Sequence, residues 1–197
     1  MNLLAVSEKY NLLVIAVDSK LHVYELDPIS GCLSDQGQRG PFKVIDLLNQ
    51  DSSVNNLKLV RCADREFLVT VDMGAHVRMI YLDDLDKDPI KFNNEFGHTT
   101  DNSTWSVDGS SSSAYPPRVV VGSNAHSLSI FNLQTGESER LPRAHNHNIP
   151  SVSFSPCGRF FASISIDRSV KVWEKVDGKK WQAIRVGIPD RDWGWAV

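Results

Sequence analysis

Short β-type runs of apolar-rich residues, separated by turn residues, recur along this chain. The clearest example is His145–Glu174, HNHNIPSVSFSPCGRFFASISIDRSVKVWE. Ile149–Ser155 alternates, Ser155-Pro156-Cys157-Gly158 is a turn, and Phe160–Ile166 is a second strand. Asp167-Arg168-Ser169 makes a second turn and Val170–Trp173 a third strand. A meander this short cannot bury both faces by itself, so it requires neighbours of its own kind.

Those neighbours are predicted upstream. Leu12–Val17 and Leu21–Leu26 flank Asp18-Ser19-Lys20; Phe67–Asp72 and His76–Leu82 flank Met73-Gly74-Ala75. Arg118–Gly122 and Ser127–Leu133 flank Ser123-Asn124-Ala125-His126. Tyr24, Tyr81 and Phe131 stand where Trp173 stands, at separations of 57, 50 and 42 residues. A period near 40–50 residues marks an array of four-stranded units. Preceding strands are expected at Leu3–Ser7, Leu57–Cys62 and Thr104–Val107, and fainter outer strands at Phe42–Leu47, Ile90–Phe92 and Trp181–Val186. The expected units are about 1–53, 54–100, 101–144 and 145–190, an all-β chain with almost no helix.

Three segments interrupt the pattern. Asp27–Pro41, rich in Gly and Pro, reads as a long loop, and Asp83–Pro89 as a solvated acidic turn without the Gly and Glu of an EF-hand. Asp108–Pro117 is a serine-rich loop and a candidate for phosphorylation. Asn102-Ser103-Thr104 matches a glycosylation sequon.

The His145–Glu174 stretch resembles one repeat of the WD-repeat β-propeller family. His145 lies nine residues before Phe154, a Ser-Pro-Cys-Gly turn stands for the family's Ser-Pro-Asp-Gly, and Trp173-Glu174 stands for the closing Trp-Asp. The resemblance implies that His145, Ser163 (or Ser165), Asp167 and Trp173 form a buried hydrogen-bond chain locking the blade. A catalytic Ser-His-Asp set is the competing reading of those residue types. More narrowly, Leu12–Val17 leading to His22-Val23-Tyr24, Asn55–Leu59, Asn102–Val107 and His147–Phe154 resemble a fungal WD-repeat family. That family is linked to transcriptional control of ribonucleotide reductase genes. Substrate receptors of cullin ubiquitin ligases in the wider family carry an Arg three residues after such a Trp; here that place is Val176.

Composition narrows the function classes. With 197 residues, 41% hydrophobic and 23% charged, the chain suits a soluble globular domain in the cytoplasm or nucleus, without a secretory signal or membrane span. Three cysteines, Cys32, Cys62 and Cys157, make neither a disulfide framework nor a zinc site. A net charge of −3 argues against general nucleic-acid binding. The stretch from His145 onward is nonetheless basic, with eight Lys/Arg against five Asp/Glu. His145 and His147 alternate but have no carboxylate or Cys at ligand spacing, and neither a phosphate loop nor a Gly-x-Ser-x-Gly elbow occurs. No cofactor, metal or small-molecule substrate is expected. The expected function is a non-catalytic scaffold for other proteins, by resemblance a regulatory adaptor in ribonucleotide reductase gene control or the DNA damage response. The alternatives are a cullin-ligase substrate receptor and an enzyme using a propeller channel.

Four units are the lower limit of the propeller range of about 4–8. Leu3 opens a strand close to Met1, and Arg191–Val197, with Trp193 and Trp195, reads as the start of a fifth unit. The expectation is therefore an open or incomplete portion of a larger propeller.

Overall fold

The computed structural model describes residues 2–47, 52–62, 64–85, 94–96, 103–110, 112, 114–176 and 180–187. They form four antiparallel sheets of four strands each, arranged as propeller blades. The first contains β1 (Leu4–Ser7), β2 (Leu12–Val17), β3 (Lys20–Glu25) and β4 (Lys43–Asp46). The second contains β5 (Val54–Cys62), β6 (Arg65–Asp72), β7 (Val77–Tyr81) and β8 (Asn94–Phe96). In the third are β9 (Thr104–Gly109), β10 (Arg118–Ser123), β11 (Leu128–Asn132) and β12 (Ser138–Leu141). The fourth holds β13 (Ser151–Phe154), β14 (Phe160–Ile164), β15 (Val170–Val176) and β16 (Lys180–Gly187). Strand order follows chain order in every sheet, so each blade is a meander.

Because successive strand residues point to opposite faces, each blade offers one apolar row backward and one forward. Three apolar clusters result. Val14, Leu21 and Val23 of the first blade meet Leu57, Leu68 and Ile80 of the second. Val69, Val71 and Met79 meet Val119, Val121 and Phe131, and Val120, Leu128 and Ile130 meet Phe154, Phe161 and Trp173. No cluster of described residues joins the fourth blade to the first, so the array is an open arc. At each junction the inner strand of the following blade lies over the first strands of the blade before it: β5 over β1 and β2, β9 over β5 and β6, β13 over β9 and β10. Close approach there explains Gly122, where a Cβ would sit 2.8 Å from the Ile149 carbonyl oxygen.

Polar bonds tie the inner strands together. Asp108, buried on β9, accepts the Phe154 N–H of β13 at 2.7 Å and pairs with Lys58 of β5 at 2.8 Å. Ser106 Oγ donates to the Ile149 carbonyl at 2.9 Å, and Asn55 Nδ2 to the Thr104 carbonyl at 2.7 Å.

Four expectations change. Facing the first blade at the place of Trp173 is Ile80, not Tyr81: Ile80 is 0% exposed, whereas Tyr81 turns the other way onto Phe67. The turns confirm that register. Left-handed residues Ala75 (φ 64°), His126 (φ 59°) and Arg168 (φ 68°) each lie five positions before Ile80, Phe131 and Trp173. The third outer strand, Ser138–Leu141, has no candidate in the hydropathy pattern, and the loop Asp27–Pro41 contains a short helix, α1 (Asp35–Arg39), capped by Ser34 Oγ. In the second blade the outer strand is Asn94–Phe96; residues 90–92, like 86–89, Asn102 and the 191–197 segment with Trp193 and Trp195, lie outside the described residues.

Candidate functional site: a buried polar lock and a charged turn face

The fourth blade brings His145, Ser163, Asp167 and Trp173 together. Trp173 lies on β15 opposite Phe161, and its Nε1–H donates to Ser163 Oγ at 2.8 Å. Ser163 Oγ is 2.7 Å from His145 Nε2, and His145 Nδ1 is 3.2 Å from Asp167 Oδ2 and 2.9 Å from Ser169 Oγ. Partners assign the tautomer. The Asp167 carboxylate only accepts, so Nδ1 carries the proton, and Nε2 accepts from the Ser163 hydroxyl. Donation then runs in one direction, from Trp173 through Ser163 and His145 to Asp167. Ser169 and Asn146, which the sequence reading did not single out, complete the site: Asp167 accepts the Asn146 N–H at 2.7 Å, the Ser169 N–H at 2.9 Å and the Ser169 hydroxyl at 2.6 Å. Ser165 is not in the chain; its hydroxyl donates to the His147 carbonyl at 3.1 Å.

The electrostatics follow. Burial pushes His145 below the ordinary histidine value, against the opposing pull of Asp167. Burial also pushes Asp167 upward, but the hydrogen bonds from Ser169 and Asn146, with His145 beside it, prevail and hold it at about 2. The pair is thus a neutral imidazole against a carboxylate. Ser163 is 0% exposed and its oxygen already accepts the indole N–H, so it has no approach to a substrate. His145 and His147 diverge: His145 is buried, while the exposed His147 ring stacks on His126 at 5.7 Å.

The same strand positions are filled differently in the second blade. Thr70 pairs with Arg78 on the rung where Ser163 pairs with Lys171. With Ile80 in place of the indole, Thr70 Oγ1 is buried with no hydrogen-bonding partner. The neighbouring turn is held by buried Asp72, which pairs with Arg78 at 2.6 Å and accepts the Gly74 and His76 N–H groups at 2.9 Å each.

This chemistry decides what the fourth blade is. Residues 136–174 match the family described as WD domain, G-beta repeat. That stretch is similar to a WD repeat. Over 191 residues, 95% of the chain, the sequence is 30% identical to a WD40 repeat-containing protein of Dictyostelium discoideum. It is 25% identical over 202 residues, covering 88% of the chain, to a WD repeat-containing protein of Schizosaccharomyces pombe. The chain spans 27% and 39% of the lengths of these relatives. Among solved structures, one chain of "Crystal Structure of Mitotic Checkpoint Complex" superposes with a TM-score of 0.70 at 14% identity, over 98% of this chain and 52% of that one. That likeness concerns the fold, a WD-type propeller array.

On the opposite side of the array, the turns joining the first two strands of the first and second blades carry charge. Glu8, Lys9, Arg61, Asp64 and Glu66 line an open cleft of about 620 Å³ between the first and second blades. Buried Glu66 accepts from Ser7 Oγ and from Arg61 Nε, the latter at 2.7 Å. Arg65 pairs with Asp83 at 2.9 Å and lies over the Tyr81 ring at 3.6 Å. This explains Tyr81: it is part of the turn face rather than of a blade lock. No helix among the described residues is long and apolar enough to cross a membrane.

Proposed function

We propose that this chain is a non-catalytic protein-interaction scaffold whose contact surface is the charged turn face of the first two blades. One observation carries the reading. The buried ionisable side chains Glu66, Asp72, Arg78, Arg118, Asp108 and His145 are engaged within the fold, whereas Glu8, Lys9, Arg61 and Asp64 stand exposed around one cleft. Exposed charges of both signs suit a partner of complementary pattern, where they govern encounter and specificity more than raw affinity. WD repeats suggest the same role.

The test is affinity capture with the wild type and with a Glu8→Lys, Lys9→Glu double variant, followed by mass spectrometry. Both substitutions sit at exposed positions, so circular dichroism should not change. Partners retained by wild type should be lost from the variant, and more so at high salt. Identical capture by both would overturn the assignment of this face. The narrower reading, a regulatory adaptor in ribonucleotide reductase gene control, is supported by the phrases Asn55–Leu59 and His147–Phe154; unchanged transcript levels on removing the gene would refute it. A ligase-receptor role has less support, because Val176 stands where the docking Arg would be, half-buried on β15.

A further inference from the structure

The seam between the third and fourth blades holds polar groups that the fold leaves without partners. Arg118 opens β10, and the register that pairs Val119 with Gly109 sets it opposite Ser110, whose N–H donates to the Arg118 carbonyl at 2.8 Å. Residues paired across two strands share a face of the sheet. Arg118 has the parity of Val120, which packs on the fourth blade, so Arg118 and Ser110 look toward that blade. Their contacts agree. The Arg118 guanidinium carbon lies 5.5 Å from the centre of the Trp181 ring on β16, and a Cβ placed on Gly158 would stand 2.5 Å from Ser110 Oγ.

Hydrogen-bond donors meet there unused. Arg118 is 8% exposed, yet among the described residues its guanidinium makes no hydrogen bond or ion pair and is engaged by the Trp181 ring instead. Trp181 is 4% exposed and its Nε1–H has no acceptor; Ser110 is 1% exposed and its hydroxyl has no partner. Glu139 on β12 looks into the same seam but pairs with Lys175 of β15, and burial pushes Arg118 below the ordinary arginine value in spite of it. Other buried charges are matched, Arg78 by Asp72 and Asp108 by Lys58. Burying a guanidinium beside an idle indole N–H and an idle hydroxyl is costly, and such lapses gather where a ligand completes the set.

We infer that this seam binds a phosphate group, free or carried by a phosphoserine, with the Arg118 guanidinium as its main contact. Every idle group there can donate, so the occupant is an acceptor, and the buried positive charge makes it an anion. A guanidinium fork engages two oxygens of one oxyanion. The indole N–H and the Ser110 hydroxyl are left for a third, which a phosphate has and a carboxylate lacks. The residual exposure of Arg118 is the way in. This seam is separate from the charged cleft of the first two blades and does not depend on it.

The test follows the Trp181 indole N–H resonance, identified by its loss in Trp181→Phe, in NMR spectra of the full chain at fixed ionic strength. Inorganic phosphate, a capped phosphoserine and acetate are the titrants. Both phosphates should shift the resonance saturably and acetate should leave it in place. Saturation by inorganic phosphate alone assigns the site to the free ion, and by phosphoserine alone to a phosphorylated chain. Arg118→Met keeps an apolar stem over the ring and removes the charge. It should abolish the phosphate shift and leave the urea midpoint unchanged or higher, because it deletes a buried charge without a partner. Added phosphate should raise the midpoint of the wild type and not of the variant. If Arg118→Met fails to fold by circular dichroism, Arg118→Lys decides: it keeps the charge without the fork and should weaken the phosphate shift. No saturable shift with either phosphate overturns the proposal, as does an equal response to acetate. A shift that survives Arg118→Met overturns it too.

Discussion

Substituting the same strand position in two blades should have opposite effects. Ser163→Ala in the fourth blade removes an oxygen that accepts the Trp173 indole N–H at 2.8 Å and lies 2.7 Å from His145 Nε2. Trp173 and His145 are 6% and 2% exposed, so water does not replace the lost partner. Each buried polar group left unpaired costs about 1–3 kcal/mol, and partial relaxation brings the pair to about 2–4 kcal/mol. Thr70→Val in the second blade removes an oxygen that has no partner and keeps the side-chain shape. Its effect should lie between zero and a gain of about 1 kcal/mol. Urea titration followed by circular dichroism measures both. With a slope of about 2 kcal/mol/M, Ser163→Ala should lower the midpoint by about 1–2 M at unchanged slope, and Thr70→Val should leave it in place or raise it. Equal losses for the two, or a Ser163→Ala cost below about 0.5 kcal/mol, would refute the donation path from Trp173 to Asp167.

Further outcomes follow from the same geometry. Trp173→Ala, which empties a site packed by Phe161, should cost about 3–5 kcal/mol in denaturant midpoint analysis, and an unchanged midpoint would remove Trp173 from the core. Asp167→Ala strands the Asn146 and Ser169 donors at a cost of about 1–3 kcal/mol near neutral pH. Asp167 is held at about 2 against an ordinary 3.8, so its contribution is present above pH 3.8 and disappears as pH falls toward about 2; wild type and variant should converge across that window, and parallel curves would count against it. His145 is held below its ordinary 6.5, so the folded state binds fewer protons than the unfolded one there. Stability should therefore decline as pH falls below 6.5 in wild type but not in His145→Gln. Asp108→Ala opens the Phe154 N–H and the Lys58 pair together and should lower the midpoint by about 1–3 kcal/mol; a neutral result would make that inner-strand link ornamental.

Much of the architecture was legible because a period of two and its turn residues are local signals. Leu12–Val17 is the strand that its apolar run and the following Asp18-Ser19-Lys20 turn predict, and the strand–turn–strand outline of the fourth unit was readable as well. What escaped depends on tertiary choice. Tyr81 drew the second unit out of register by one residue because an aromatic side chain imitates the repeat, while the buried place belongs to Ile80 beside it. A one-residue slip exchanges the faces of a strand, and only the packing on the first blade settles which face is which. Ser138–Leu141 was invisible because an outer strand with every other residue in solvent needs no apolar alternation. The α1 helix is too short to show a helical period, and the Asp108–Phe154 bond joins residues 46 apart in sequence.

The blades thus share a topology and differ in what fastens it. At the rung that the fourth blade locks with hydrogen bonds, the third places Val121 and the second Thr70, beside a turn held by the Asp72–Arg78 ion pair. An apolar rung needs no partner and tolerates exchange among residues of similar volume. A hydrogen-bonded rung penalises the loss of any one member, because the others stay buried and unpaired. The match to the WD domain, at 136–174, falls on the stretch that carries this hydrogen-bonded rung. In the other three blades the fold is maintained by apolar rows that many sequences satisfy. The Asp108 bridge reaches from the second blade to the fourth across the inner strands, so one buried carboxylate links three blades, beside the Ser106–Ile149 bond and the apolar rows that also hold the fourth.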